Sequence, residues 1–232
     1  MANPGETDDS FIREVDEEYR RAQLASFWKR HGRWLVAAVV VLIVALGGWL
    51  WWKSQQHRDA GLAGEQFNTA LNKLETGNVP EAAPILDTLA AGKAGGYSTL
   101  ARLTQAANAV QAGDNAKAVT LYNAIAADAA QPQPFRDLAT VKATRLEFDT
   151  LPPATIVSRL KSLSVPGGAW FGVAGEMTAI AYLRDGKPAM AGPLLAQISV
   201  DKSIPLTLRG RAQQLAATLG VAVAPLTAAG AE

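Results

Sequence analysis

The residues able to do chemistry are few and far apart. The 232-residue chain has no cysteine and two histidines, His31 and His57. Without cysteine there is no disulfide, thiolate metal site or cysteine nucleophile. The histidines lie beyond opposite ends of a long uncharged run, so they cannot meet in one catalytic or metal site of a single chain. No GxSxG, HExxH or phosphate-loop motif occurs. Gly167-Gly168 and Gly172 to Gly175 are glycine-rich but lack a preceding strand and a following Lys-Ser/Thr; they read as a turn and a close helix contact. Glu147 and Asp149 are two apart, and on a helix such carboxylates diverge, so they read as a solvated helix end. Arg136, Lys142 and Arg145 make a basic stripe, with Asp137 and Glu147 interspersed as ordinary ion-pair partners. Other bases (Arg102, Arg159, Lys161, Arg209, Arg211) are scattered and the net charge is +1, which argues against nucleic acid. No catalytic, cofactor-binding or metal-binding residue emerges, and a non-enzymatic protein is expected.

The elements that carry these residues begin with the uncharged run itself. Residues 34–52 read WLVAAVVVLIVALGGWLWW, 19 residues holding four of the six tryptophans. A helix of that length spans roughly 28 Å, about a bilayer's hydrocarbon thickness, and the tryptophans sit at both edges, where amphipathic rings prefer to lie. A buried core helix seldom lacks polar residues for so long. A cleaved signal peptide begins with a short basic region, whereas 33 largely polar residues come first here, and no small-x-small site follows. An uncleaved anchor is expected. Arg20, Arg21, Lys29, Arg30 and Arg33 precede the run, while only Lys53 and Arg58 follow closely, so the N-terminus is expected in the cytoplasm and the later residues in the periplasm of a bacterial inner-membrane protein. Gly47-Gly48 is not a GxxxG pair and gives no specific dimer signal.

Residues 1–33 form the expected cytoplasmic tail. Seven acids crowd positions 1–19 against Arg13 alone. Phe11, Val15, Tyr19 and Ala22 recur near helical spacing, followed by Phe27 and Trp28. Two readings stand: an amphipathic helix resting on lipid headgroups, or a docking helix for a partner.

Residues 53–219 form the expected periplasmic domain, with a flexible Ala-rich tail at 220–232. The composition favours helix over sheet. Gly and Pro punctuation predicts helices at 57–76, 80–91, 97–112, 115–128, 134–148, 153–163, 169–185, 188–198 and 205–219. A register repeats within them. Gly77 is followed at offsets 5, 9 and 12 by Ala82, Leu86 and Leu89; Gly113 by Ala118, Tyr122 and Ile125; Gly186 by Ala191, Leu195 and Ile198. A degenerate copy, Ile156, Leu160 and Leu163, follows Leu151. The glycine ends one helix in a left-handed turn, the small residue lets the next backbone approach, and the larger residues fill the hairpin. A period near 34 with this spacing is the tetratricopeptide pattern, hence an all-α chain of stacked helical hairpins, an α-solenoid, behind one transmembrane helix. A generic helical bundle is the alternative.

SFWKRHGRW entering the membrane run, GGWLWWKSQQ leaving it, GYSTLARLTQA and AGDNAKAVTLYNAIA in the repeats, and WFGVAGEMTAIAYLRDGKPAMAGPLLAQI with IPLTLRGRAQQLAATLG near the end together resemble the YfgM family, the ancillary subunits of the SecYEG translocon. The resemblance covers about residues 10–220; the longer acidic start, the weak third repeat and the Ala-rich tail depart from it. It implies a tetratricopeptide-like periplasmic domain that associates with the SecYEG translocon and with periplasmic chaperones handling newly exported proteins.

By analogy with tetratricopeptide grooves, first-helix residues are the partner-groove candidates: Leu103, Ala107, Val110, Ile180, Leu183 and Arg184. The competing reading makes these apolar residues plain core. The alternative function is a tetratricopeptide adaptor for cell-envelope assembly or cell division.

Overall fold

The computed structural model describes residues 6–92 and 96–223; for residues 6–32, 35, 56 and 57 it describes the backbone alone. The face predicted for Phe11, Val15, Tyr19, Ala22, Phe27 and Trp28, the side chains of both histidines, and the tail beyond Val223 lie outside the described residues. The described residues form helices and turns without a strand: α1 (Glu6–Glu75), α2 (Val79–Ala91), α3 (Gly96–Gln111), α4 (Asn115–Ala127), α5 (Gln133–Leu146), α6 (Pro153–Leu160), α7 (Phe171–Arg184), α8 (Pro188–Val200) and α9 (Leu206–Thr218). They fall into two units that part between Gly61 and Leu62.

Helix α1, whose residues from Leu62 on belong to the second unit, joins what the sequence divides into tail helix, membrane run and 57–76 segment. No proline interrupts α1, and its only glycines before Gly77 (Gly32, Gly47, Gly48, Gly61 and Gly64) are each tolerated within a helix. This is the one helix among the described residues long and apolar enough to cross a membrane, and its apolar window is unburied. Trp34, Val36, Leu42, Ile43, Leu46, Trp49, Leu50, Trp51 and Trp52 are all exposed. A continuous apolar cylinder of this size exceeds the patches that soluble proteins leave in water. Lys53 places its ammonium 5.2 Å from the centroid of the Trp49 ring, one turn back at the edge of the run.

The second unit is built from helical hairpins, and the glycines predicted to turn them do so. Gly77, Gly113 and Gly186 have φ of 77°, 78° and 67°. At each, the following N–H reaches back five residues, Asn78 to Lys73 O, Asp114 to Ala109 O and Lys187 to Tyr182 O, at 2.8–2.9 Å. These are Schellman closures, which a residue with Cβ adopts only at a cost of about 1–2 kcal/mol. Asp114 adds a side-chain cap, accepting from the Lys117 N–H at 3.0 Å. Gly220, 34 residues after Gly186, makes the same turn with φ 75° and closes Val221 N–H onto Ala216 O at 3.1 Å. Helix α9 is therefore the first helix of a further repeat.

Every residue of the register is buried. Ala82, Ala118 and Ala191 are fully enclosed, and Leu86, Leu89, Tyr122, Ile125, Leu195 and Ile198 are at most 4% exposed. Burying each of the larger side chains contributes about 1.5–3 kcal/mol. The core is four successive clusters, each shared between a hairpin and the first helix of the next. Ala70, Leu86 and Ala101 join α1, α2 and α3; Ala106, Ile125 and Ala139 join α3, α4 and α5. Val141, Ile156 and Ala174 join α5, α6 and α7; Ala179, Leu195 and Ala212 join α7, α8 and α9. Gly172 and Gly175 make the close contacts expected of them: a Cβ there would stand 3.1 Å from Ile204 and 3.0 Å from Ile198.

The third hairpin differs. Leu151 replaces the glycine and no described non-glycine residue has positive φ, so the left-handed closure is absent. Residues 147–151 instead make an extra turn, with Leu151 N–H on Glu147 O at 2.9 Å, before Pro152-Pro153 starts α6. Helix α6 stops at Leu160, short of the predicted 163, and α5 and α6 touch far less than α3 and α4 or α7 and α8. Ile156, Leu160 and Leu163 are nevertheless buried, as the degenerate copy requires.

Candidate partner-binding groove

The first helices of the hairpins, α3, α5, α7 and α9, succeed one another along the second unit, and a cleft of about 590 Å³ opens across the last three. Its apolar lining comes from Phe148 after α5, from Val173, Met177 and Ile180 on α7, and from Leu208 on α9. Arg145, Asp149, Glu176 and Arg211 supply its charges. Helical spacing explains the α7 contribution: Val173, Glu176, Met177 and Ile180 fall at intervals of three and four, on one face.

Glu176 is buried, and both its oxygens are taken by Arg211 across the cleft, one by Nε and the other by Nη2 at 2.6 Å. This two-pronged pair satisfies a carboxylate that would otherwise be costly to bury. The Glu176 carboxylate raises the pKa of the Arg211 guanidinium above its usual value.

Arg145 is exposed at the rim and has no acidic partner among the described residues. The ion pairs expected along its stripe form elsewhere. Glu147 pairs with Arg159 on α6 at 2.5 Å, and Arg136 and Asp137 both bond Gln133. Glu147 is thus a partly buried pair member rather than a solvated end, because the extra turn at 147–151 swings it towards α6.

The six candidates named from sequence separate. Ile180 lines the cleft. Ala107 and Val110 are exposed on α3, one repeat away. Leu103 packs on the α3–α5 cluster and Leu183 on the α7–α9 cluster, each partly buried. Arg184 is exposed, and its guanidinium is occupied by the backbone: it donates to Phe148 O, to Asp149 O at 3.3 Å and to Leu151 O at 3.4 Å. It also stacks 5.4 Å from the Phe148 ring centroid. Arg184 therefore ties α7 to the turn that lacks glycine.

Arg145, read from sequence as part of a basic stripe, and Phe148 were not among the groove candidates although a signal pointed at them. Counting six and three residues back from the turn residue gives Ala107 and Val110 before Gly113, and Ile180 and Leu183 before Gly186. The same count from Leu151 gives Arg145 and Phe148. Nothing in the spacing announces Glu176 with Arg211, which are 35 residues apart.

Two further clefts lie elsewhere. One of about 490 Å³ has Glu65, Thr69, Pro84 and Ile85 in its wall. Another of about 320 Å³ lies between α6 and α8, with Val157, Tyr182, Met190 and Leu194. Among the described residues no three His, Cys, Asp or Glu gather closely enough to hold a metal ion.

Comparison with known proteins agrees with the repeat register. The chain is similar to a protein of Haemophilus influenzae named ancillary SecYEG translocon subunit, at 25% identity over 100 residues. That match covers 43% of this chain and 49% of the relative, so the chain spans about half the length of the curated relative it matches. No solved structure matches. The family model of the tetratricopeptide repeat-like domain matches residues 25–191, from before the apolar run into α8. With glycine-closed hairpins, a small residue five positions on and one core cluster per repeat, the all-helical chain belongs to the tetratricopeptide repeat-like domain family.

Proposed function

We propose that this protein is a membrane-anchored, non-enzymatic interaction subunit of the protein-export machinery. The carrying observation is the cleft across α5, α7 and α9, an apolar trough with charged rims on the first-helix side of the repeats. A family of stacked hairpins presents such surfaces to extended chains. Similarity to an ancillary translocon subunit supports the export setting.

In this reading residues 34–52 span the inner membrane and residues 1–33 remain cytoplasmic, held by Arg20, Arg21, Lys29, Arg30 and Arg33. Residues 53–219 then face the periplasm, where exported chains emerge, and the cleft passes them between the SecYEG translocon and periplasmic chaperones. Ala107 and Val110 extend the surface along α3.

The test is photo-crosslinking in native membranes from a reactive residue at Ile180 or Val110, with an exposed site on α2 as control. Adducts with translocon or chaperone subunits from the first two sites alone are expected. Their absence, or a C-terminal reporter active only inside the cell, defeats the proposal.

A further inference from the structure

The charges around the cleft are not balanced, and the imbalance bears on what it holds. Glu176 and Arg211 satisfy each other. Arg145 faces the cleft with no acid of its own among the described residues. Arg184 spends its hydrogen bonds on the carbonyls of Phe148, Asp149 and Leu151, so it brings a further positive charge to that end, where Asp149 also lines the cleft. Among the described residues, three guanidinium groups thus stand against two carboxylates at the cleft, and the one without an ion-pair partner is Arg145. The apolar lining is adaptable: Met177 is unbranched, and Val173, Ile180 and Leu208 line the same cleft.

We propose, resting on the reading of this cleft as the partner groove, that it selects extended polypeptide in which apolar side chains alternate with acidic ones. An apolar side chain enters between Met177, Ile180 and Leu208, while a neighbouring carboxylate reaches Arg145 at the rim. Arginine suits that task because its planar fork takes both oxygens of a carboxylate. Basic segments meet Arg145, Arg184 and Arg211 and are disfavoured by like charge. Glu176 is buried and its charge is already balanced by Arg211, so it offers little to a lysine.

The experiment uses the full chain in lipid nanodiscs and three short fluorescent peptides carrying a photo-crosslinker: alternating leucine and glutamate, leucine and lysine, and serine and glutamate. The leucine–glutamate peptide is expected to bind best, to crosslink to α5, α7 or α9, and to weaken as salt rises. Arg145→Glu, at an exposed position that leaves the core untouched, is expected to weaken it roughly five- to tenfold and to narrow its advantage over the lysine peptide. Equal binding of the glutamate and lysine peptides, or indifference to Arg145→Glu with adducts still in the cleft, overturns the acidic preference and leaves the groove standing. Adducts confined to other helices overturn the groove and the preference together.

Discussion

Arg209 donates its Nε–H to the backbone carbonyl of Ser199 at 2.9 Å, and this bond crosses from one repeat to the next. Arg102 does the same to Ala90 at 3.2 Å. Both arginines stand 11 residues before a turn glycine, and both carbonyls stand 13 after the preceding one. Each bond occupies a carbonyl at the end of a second helix, where no intrahelical donor remains. Arg209 is buried, whereas the Arg102 side chain is 35% exposed and also meets Asp128. Arg209→Met is expected to lower unfolding stability by about 1.5–3 kcal/mol, the range for hydrogen bonds to charged groups. Arg102→Met is expected to cost less. Urea denaturation followed by far-ultraviolet circular dichroism gives the comparison, and equal losses at the two sites would contradict it.

The turn glycines make a second prediction because conformation alone is at stake there. A Cβ on Gly113 or Gly186 meets nothing within 4 Å, yet φ is 78° and 67°. Alanine at either position is expected to destabilise by about 1–2 kcal/mol. Asparagine, which tolerates the left-handed region, is expected to cost less. Gly192→Ala is different in kind: its backbone is ordinary, but Val221 lies 2.6 Å from the added Cβ. Its cost is therefore expected to fall sharply in Gly192→Ala/Val221→Ala, whereas no neighbouring truncation relieves Gly113→Ala. Double-mutant cycles on the unfolding free energy separate the two cases.

That contrast bears on what the sequence carried. Glycine and proline punctuation located the helices from α2 to α9 to within about two residues at most ends, because each terminus has a local chemical cause. The register at offsets 5, 9 and 12 named buried residues throughout. What went unread depends on distant partners. Nothing local says that Arg184 reaches back to the Phe148 carbonyl, or that Glu176 will find Arg211 after a whole further hairpin. The division of α1 at the membrane edges was a polarity boundary, and polarity does not end a helix when no proline accompanies it. Arg145 was legible in principle, since the groove positions repeat and Leu151 marks the degenerate register, but its charge grouped it with Arg136 and Lys142 in a basic stripe instead.

Arg184 carries a prediction about the weak joint. Helices α5 and α6 share little packing, and their connection is held by Arg184 on three carbonyls and by the Arg159–Glu147 pair. Arg184→Ala is expected to leave the far hairpins unchanged while amides of residues 147–151 exchange faster, by roughly tenfold for each 1.4 kcal/mol of local stability lost. Arg184→Lys keeps the charge without the planar fork and is expected to restore only part of the protection. Hydrogen exchange read by mass spectrometry resolves these segments. A uniform rise in exchange across α3 and α8 would show instead that Arg184 supports the whole unit.

Asp128 ties acidity to the same stack. Its carboxylate accepts from the Gln131 amide at 2.9 Å, from the Ala130 N–H at 3.0 Å and from Arg102 at 3.1 Å. These bonds, the Gln131 bond foremost, hold its pKa below the ordinary carboxylate value. In the unfolded chain Asp128 titrates near pH ~4. Above that value it is ionised in both states, and its stabilisation is present in full. As pH falls below about 4 the unfolded chain takes up the proton first, and the contribution fades until the lowered folded pKa is passed. Asp128→Asn is therefore expected to be less stable than the parent at neutral pH, with the gap closing as the medium is acidified below about pH 4. Urea midpoints for both chains, measured at neutral pH and at two points below pH ~4, test the sign directly. A gap that stays constant across that range would mean that the asparagine disturbs the turn by shape, and that the charge on Asp128 contributes nothing to it.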